Sequence, residues 1–165
     1  MTGTIRQVEE RDVDAVVTLV HELAAYERAP QHCTVTPEQL RTALFGSVVP
    51  GAGPALFGHV ATVDDTVVGC ALWFLNFSSW RGVHGIYLED LYVQPAHRGR
   101  GLGRALLAHL AAVCAERGLA RLEWAVLDWN APSIAFYRSV GAVALDEWTT
   151  FRLDGEALAA LGHGT

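Results

Sequence analysis

The sequence predicts an α/β fold, a mixed β-sheet with helices on both of its faces. Two observations predict it. Between Ile86 and Glu116 the apolar spacing switches from strand to helix across a glycine-rich turn, and the stretches around it read in the order β-α-α-β-β-β-α-β-α-β-β. The chain is 165 residues long and 51% hydrophobic, the size of a single domain (1–165) with enough apolar material for a sizeable core.

Taken in order, Ile5 to Val8 reads as a short strand. Glu10 to Asp12 then offers N-caps for a helix whose apolar positions are Val13, Val16, Val17, Val20, Leu23 and Ala24, ending near Tyr26-Glu27 before Pro30. His21 lies beside that stripe and reads as a packed or surface histidine rather than a ligand. Thr36-Pro37-Glu38-Gln39 is a capping box with proline at the first helical position, opening a short helix that stops at Gly46. Pro50 to Pro54 is a loop. Ala55 to Val63 and Val67 to Phe77 are strands around the turn Asp64-Asp65-Thr66, and Ser78 to Gly82 turns into a central strand.

That central strand, Ile86 to Val93, alternates branched and aromatic residues until Pro95 ends the ladder, which places Glu89 on one face with Tyr87, Leu91 and Val93. From Leu102 the apolar positions Leu106, Leu110 and Val113 follow helical spacing, and Gly118 supplies the stop. Between them, Arg98-Gly99-Arg100-Gly101-Leu102-Gly103-Arg104 is a strand-to-helix turn. Such a turn aims unpaired N–H groups and the positive helix end at an anion, a pyrophosphate above all, and its arginines add charge. A tight surface connection would give the same pattern. A nucleotide P-loop is excluded because Arg104-Ala105 stands where Lys-Ser/Thr is required, and a dinucleotide fold because the glycines lie past mid-chain.

Arg121 to Asp128 reads as the next strand. Asn130 is an N-cap, Pro132 sits in a first turn, and Ser133 to Val140 makes a short helix that Gly141 terminates. Ala142 to Leu145 and Trp148 to Leu153 read as a final hairpin around Asp146-Glu147, and Asp154 as the cap of a helical turn through Leu161.

A net charge of −6 with a single basic loop argues against general nucleic-acid binding and suits either a cationic substrate or an ordinary solubilising surface. Cys33, Cys70 and Cys114 are scattered and lack metal-ligand spacing, so neither a disulfide framework nor a metal site is expected, and a reducing cytoplasm is the expected setting. No apolar run approaches a membrane span, and the first residues lack a signal-peptide core. The positive mean hydropathy, +0.22, leaves apolar surface that a homodimer would cover.

The pattern Val93-x-x-x-x-Arg98-Gly99-x-Gly101-x-Gly103 resembles the acetyl-CoA loop of the GNAT superfamily of N-acetyltransferases. Tyr87-Leu88-Glu89-Asp90, Trp129-Asn130-x-Pro132-Ser133-Ile134-x-Phe136-Tyr137 and Glu22-Leu23-Ala24-x-Tyr26-Glu27 resemble the diamine (spermidine/spermine) acetyltransferase branch, so most of the chain is covered. The resemblance implies a GNAT fold, a sheet splayed at the cofactor, and acetyl-CoA as co-substrate. It assigns cofactor contacts to Leu91, Tyr92 and Val93, to Arg98 through Arg104 (Arg98, Gly99, Arg100, Gly101, Leu102, Gly103, Arg104), and to Asn130 and Ser133. Leu91 N–H matches the oxyanion donor, Tyr137 the general acid near the cofactor sulfur, and Glu89 the base acting through a water.

By the same resemblance, Tyr26, Glu27 and Glu89, with Asp146 or Glu147, would line an acidic trough for a di- or polyamine. Arg28-Ala29-Pro30 departs from the branch, where acids tend to follow, and makes a lysine-like small amine as fitting as spermine. No cysteine is placed to carry an acyl group, so direct attack in a ternary complex is expected. An acetyltransferase for an antibiotic or protein amine, and a catalytically silent acetyl-CoA sensor, remain the alternatives.

Overall fold

The computed structural model describes residues 3–47 and 49–163; the other positions of the expected domain 1–165 lie outside the described residues. The chain divides into two compact units, with the boundary between Leu127 and Asp128.

The first unit holds β1 (Thr4–Gln7), α1 (Val13–Tyr26), α2 (Pro37–Phe45), β2 (Phe57–Val63), β3 (Thr66–Ser78), β4 (Val83–Val93), α3 (Leu102–Arg117) and β5 (Leu122–Glu123). The sheet order is β1-β2-β3-β4-β5. Its first three pairings are antiparallel, and β4 with β5, joined through α3, is parallel. The mixed sheet and the element order through α3 match the expectation. Asp64 and Asp65 close the β2–β3 hairpin with φ of 48° and 61°, the left-handed pair that a two-residue turn requires and that aspartate tolerates. Thr36 forms the expected capping box, its hydroxyl accepting from Gln39 N while Gln39 Oε1 accepts from Thr36 N.

On one face of the sheet, Val13, Val16, Val17 and Leu19 of α1 and Leu40 and Leu44 of α2 bury against Val60, Cys70, Leu72 and Tyr92. Fully burying each large aliphatic side chain of this kind contributes roughly 1.5–3 kcal/mol. On the other face α3 buries Leu102, Leu106, Leu107, Leu110 and Val113 and contacts every strand of the sheet. Trp73 lies on this side, 2% exposed, and its indole N–H donates to His59 Nδ1 at 3.1 Å, while the His59 ring lies 4.4 Å from that of His109 on α3. An indole only donates, so His59 must stay neutral with its proton on Nε2. Burial, with the neighbouring His109 and Arg117 charges, lowers its pKa to about 4.

Three expectations are corrected. Asp12 does not cap α1 with its side chain; the carboxylate takes two guanidinium bonds from Arg6 (2.6 and 2.8 Å) and the Glu9 N–H, because a charged bidentate partner is a stronger draw than a cap N–H. The strand expected over Arg121 to Asp128 is only Leu122–Glu123. Its ladder with β4 ends at Tyr87↔Glu123, next to an irregularity at Glu89 that turns β4 away.

The third correction falls in the second unit, which holds α4 (Ala131–Ser139) and α5 (Gly155–His163). Among the described residues, 142–153 form no hairpin; the backbone bonds there run from Ala142 N back to Tyr137 O and from Trp148 N to Leu145 O in a turn, and Val143, Leu145, Trp148 and Phe151 are exposed. Two short strands without a third to pair with do not hold themselves together in water. Among the described residues, no helix is long and apolar enough to cross a membrane.

Arg6 holds the Asp12 carboxyl below its ordinary range, so this pair stabilises the fold above about pH 4 and its contribution is lost as pH falls through the lowered folded-state value. Asp12→Asn should cost about 2 kcal/mol at neutral pH, and its urea midpoint should fall less between pH 5 and pH 3 than that of the parent. His59 acts in a different window: unfolding lets it bind a proton at about pH 6.5, so stability declines as pH drops from there toward 4. Chemical denaturation at pH 7 and pH 5 should show the parent losing about 1–2 kcal/mol relative to His59→Leu over that interval.

Candidate active site

The glycine-rich turn follows β4 through a single 3₁₀ turn at Pro95–His97. Gly99 and Gly101 take φ of 74° and 80°, a conformation that favours glycine, while an added Cβ at either would meet open space. The requirement at these two positions is conformational, not steric. Gly101 precedes α3 without a capping side chain, and the first bond of the helix runs from Ala105 N to Gly101 O. Among the described residues, no backbone N–H from 99 to 104 has an acceptor. A row of unspent donors at the positive end of a 16-residue helix, with Arg100 and Arg104 exposed beside it, suits a pyrophosphate.

Arg98 is engaged elsewhere. Its Nε donates to Val93 O at 2.8 Å, and its guanidinium carbon lies 5.0 Å from the centre of the Tyr26 ring and 5.3 Å from that of Tyr92. A cation between two aromatic faces ties the end of α1 to the start of the loop, at about 0.5–1 kcal/mol per contact. Tyr26 is therefore held by the loop. The end of α1 is fixed further by Ala29 N donating to Ala24 O as the chain reverses through Arg28, whose φ is 63°.

The decisive feature of β4 is an extra residue. Leu72 pairs with Asp90 and Trp73 with Leu88, leaving Glu89 without a partner on β3. This bulge corrects the expected alternation. Leu91 and Val93 fall on the α3 side with Leu88, while Asp90 and Tyr92 fall on the α1 side with Leu72 and Cys70. Glu89 itself is exposed at the bulge.

Asp90 is the acid the fold encloses, and its pKa is pushed up to about 6 by burial first and then by the charges of Glu89 and Glu27. Burial also raises Glu27. Tyr87 and Tyr92 are raised by burial and by nearby carboxylates, Glu89 and Glu123 for Tyr87 and Glu22 for Tyr92. Glu22 accepts from Gln94 Nε2 at 3.1 Å, which ties α1 to the segment after β4. The half-buried acids Glu27 and Asp90 thus share one electrostatic environment with Glu89. Sequence reading passed over Asp90, although a signal was present: two adjacent acids in a strand covered on both faces cannot both be solvated, so one of them must be enclosed.

The other expected site residues belong to the second unit. Asn130 caps α4, its Oδ1 accepting from Ser133 N at 3.3 Å. Tyr137 is half-buried on α4 and tilted against Phe136, with ring centres 5.4 Å apart. Asp146 and Glu147 are exposed in the turn before Trp148. Among the described residues, no cluster of three or more His, Cys, Asp or Glu could hold a metal ion.

An aspartate raised toward neutrality destabilises the fold in its charged form. The stability cost of Asp90 is absent below about pH 4 and grows as pH rises through about 6. Asp90→Asn should therefore raise stability at pH 7 by roughly 1–3 kcal/mol and leave it little changed at pH 4, read from urea midpoints at the two pH values.

The family described as "Acetyltransferase (GNAT) family" matches residues 20–142. The chain is 34% identical to a thialysine N-epsilon-acetyltransferase of Bos taurus, covering 95% of each, and 36% identical to a thialysine N-epsilon-acetyltransferase of Caenorhabditis elegans, covering 88% of each. Among solved structures, an integron cassette protein from the mobile metagenome of V. cholerae superposes with a TM-score of 0.80 at 26% identity, covering 99% of both chains.

Proposed function

The chain belongs to the GNAT acetyltransferase family and is an N-acetyltransferase, and from that premise we propose that it moves an acetyl group from acetyl-CoA to a primary amine of a small di- or polyamine or lysine-like acceptor, by direct attack in a ternary complex. The observation that carries this reading is the continuity of β4 with the loop: a bulge bearing Glu89 and Asp90 leads within ten residues to the unspent N–H row at 99–104. Residues 99–104, with Arg100 and Arg104, suit the pyrophosphate of the co-substrate, and Asn130 and Ser133 are also assigned to it. Acetyl-CoA, once bound, supplies the activated thioester.

Each remaining step is assigned to the chain's own groups. An amine acceptor arrives as a cation, and Asp90 with Glu27 attracts it. Glu89, exposed at the bulge, accepts the ammonium proton through a water, which frees the lone pair. Leu91 N–H donates to the acetyl oxygen as negative charge develops there. As the tetrahedral intermediate collapses, the new C–N bond is kept and the C–S bond breaks; Tyr137 gives its phenolic proton to the departing thiolate, and the surplus proton remaining on the acylated nitrogen restores the phenol. The similarity to thialysine acetyltransferases, together with Arg28 where acids would favour a long polyamine, supports a short lysine-like acceptor. The apolar side chains exposed on the second unit, Val143 and Phe151 among them, support a homodimer.

The test is thiol release from acetyl-CoA with spermidine, spermine, putrescine, thialysine, lysine, an aminoglycoside and a peptide amine. Turnover is expected on the small di- or polyamines or lysine-like amines. Tyr137→Phe should lower kcat by about 10²–10³-fold with little change in the KM for acetyl-CoA, and Glu89→Gln should lower kcat most at low pH, where free amine is scarce. Acetyl-CoA binding without turnover of any amine would overturn the reading in favour of a sensor.

A further inference from the structure

The transfer chemistry leaves a second polar group on the α1 side of the sheet unused. Tyr87 pairs with Phe74 and with Glu123, and Gly85 pairs with Asn76, so Asn76, Tyr87 and Glu123 share that face. Arg121 joins them, because its side chain passes over Gly85: a Cβ there would stand 2.6 Å from Arg121 Cγ and 2.8 Å from Asn76 Oδ1. The absent side chain at Gly85 is what lets these groups meet.

Asn76 Nδ2 donates to Glu123 Oε2 at 2.7 Å, and Arg121 Nε lies 2.8 Å from the same oxygen, although its N–H is not aimed along that line. Glu123 is thus held from two sides. Both charged side chains are about one-third open to solvent, 33% for Arg121 and 30% for Glu123. Glu123 Oε1 and the two terminal nitrogens of Arg121 have no partner among the described residues. A guanidinium edge and a carboxylate oxygen, side by side and unspent, complement a zwitterion: the first takes a carboxylate and the second an ammonium. Asp90 lies on the same face three residues beyond Tyr87, roughly 10 Å at the strand rise, a span that an amine on a short side chain bridges.

We propose that Arg121 and Glu123, positioned by Asn76, read the α-carboxylate and α-amino groups of a free diamino acid whose side-chain amine reaches Glu89 and Asp90. The inference rests on the amine-acetyltransferase reading and narrows it to one substrate class. A polyamine brings a second cation where Arg121 offers a positive edge, and a diamine without a carboxylate leaves that guanidinium unanswered. The pair therefore selects by rejection as well as by attraction.

The experiment compares kcat/KM for lysine and thialysine with that for cadaverine, the diamine that lacks the carboxylate, in the parent and in Arg121→Met. The parent should prefer the amino acids by about tenfold or more, and Arg121→Met should bring the ratio near one through a higher amino-acid KM at similar kcat. Arg121→Lys should restore part of the preference. Glu123→Gln gives an independent reading: it should raise the KM for lysine and not that for aminocaproate, which has no α-amino group. Equal use of lysine and cadaverine by the parent, or an unchanged ratio in a folded Arg121→Met, overturns the inference while the activity stands. Failure of the parent to acetylate any amine overturns the activity reading itself.

Discussion

The extra residue in β4 is the constraint on which the site depends. Without the bulge at Glu89, strict alternation would place Asp90 on the same face as Leu88, against α3, where a carboxylate would have no water and no cation. With it, Leu88 and Leu91 both face α3, and Asp90 and Tyr92 both face α1. The same irregularity stands where the ladder between β4 and β5 ends, so one local feature turns an acid into the α1 side and opens the sheet beside it. The cost is a carboxyl held near pH 6 by burial and by like charges. Groups held away from their preferred ionisation collect at working sites because the chemistry needs them there.

The glycine-rich loop is braced on both faces of the sheet. From the α1 side, Arg98 lies over Tyr26 and Tyr92, so the end of the first helix and the start of the loop move together. From the other side, α3 rests on Trp73 and on His59, which the indole keeps neutral. Rigid support is what an open row of N–H donors requires, since donors that had to be organised on binding would lose affinity to ordering. Arg98 shows how a charged residue in a basic motif can act as a strut while Arg100 and Arg104 stay exposed beside the donor row.

Polar contacts on the α1 face divide by partner. Asp12 is consumed by Arg6 and serves the fold, whereas Asp90 and Glu27 have no cation paired with them among the described residues and are raised instead. Arg121 and Glu123 lie between these cases, paired at one atom and unspent at the others. Whether a charge is matched inside the fold or left unmatched separates structure from recognition on this surface.

Much of this was legible in the chain by itself. The capping box at Thr36, the aspartate turn at 64–65, the left-handed glycine that ends α3 and the Asn130 cap are local: each depends on residues a few positions apart, and each formed where the sequence put it. The glycine-rich turn carried the family for the same reason, because backbone conformation and unpaired donors are set by neighbours in sequence. What the tertiary structure decided was everything that depends on a strand's partner. The register of β3 against β4 created the bulge, exposed Glu89 and enclosed Asp90; the end of the β4–β5 ladder shortened a strand that composition alone made look long; and residues 142–153, apolar enough for a hairpin, do not form paired strands. Alternation along a strand says which residues share a face only while the ladder is regular, and regularity is a property of two strands, not one.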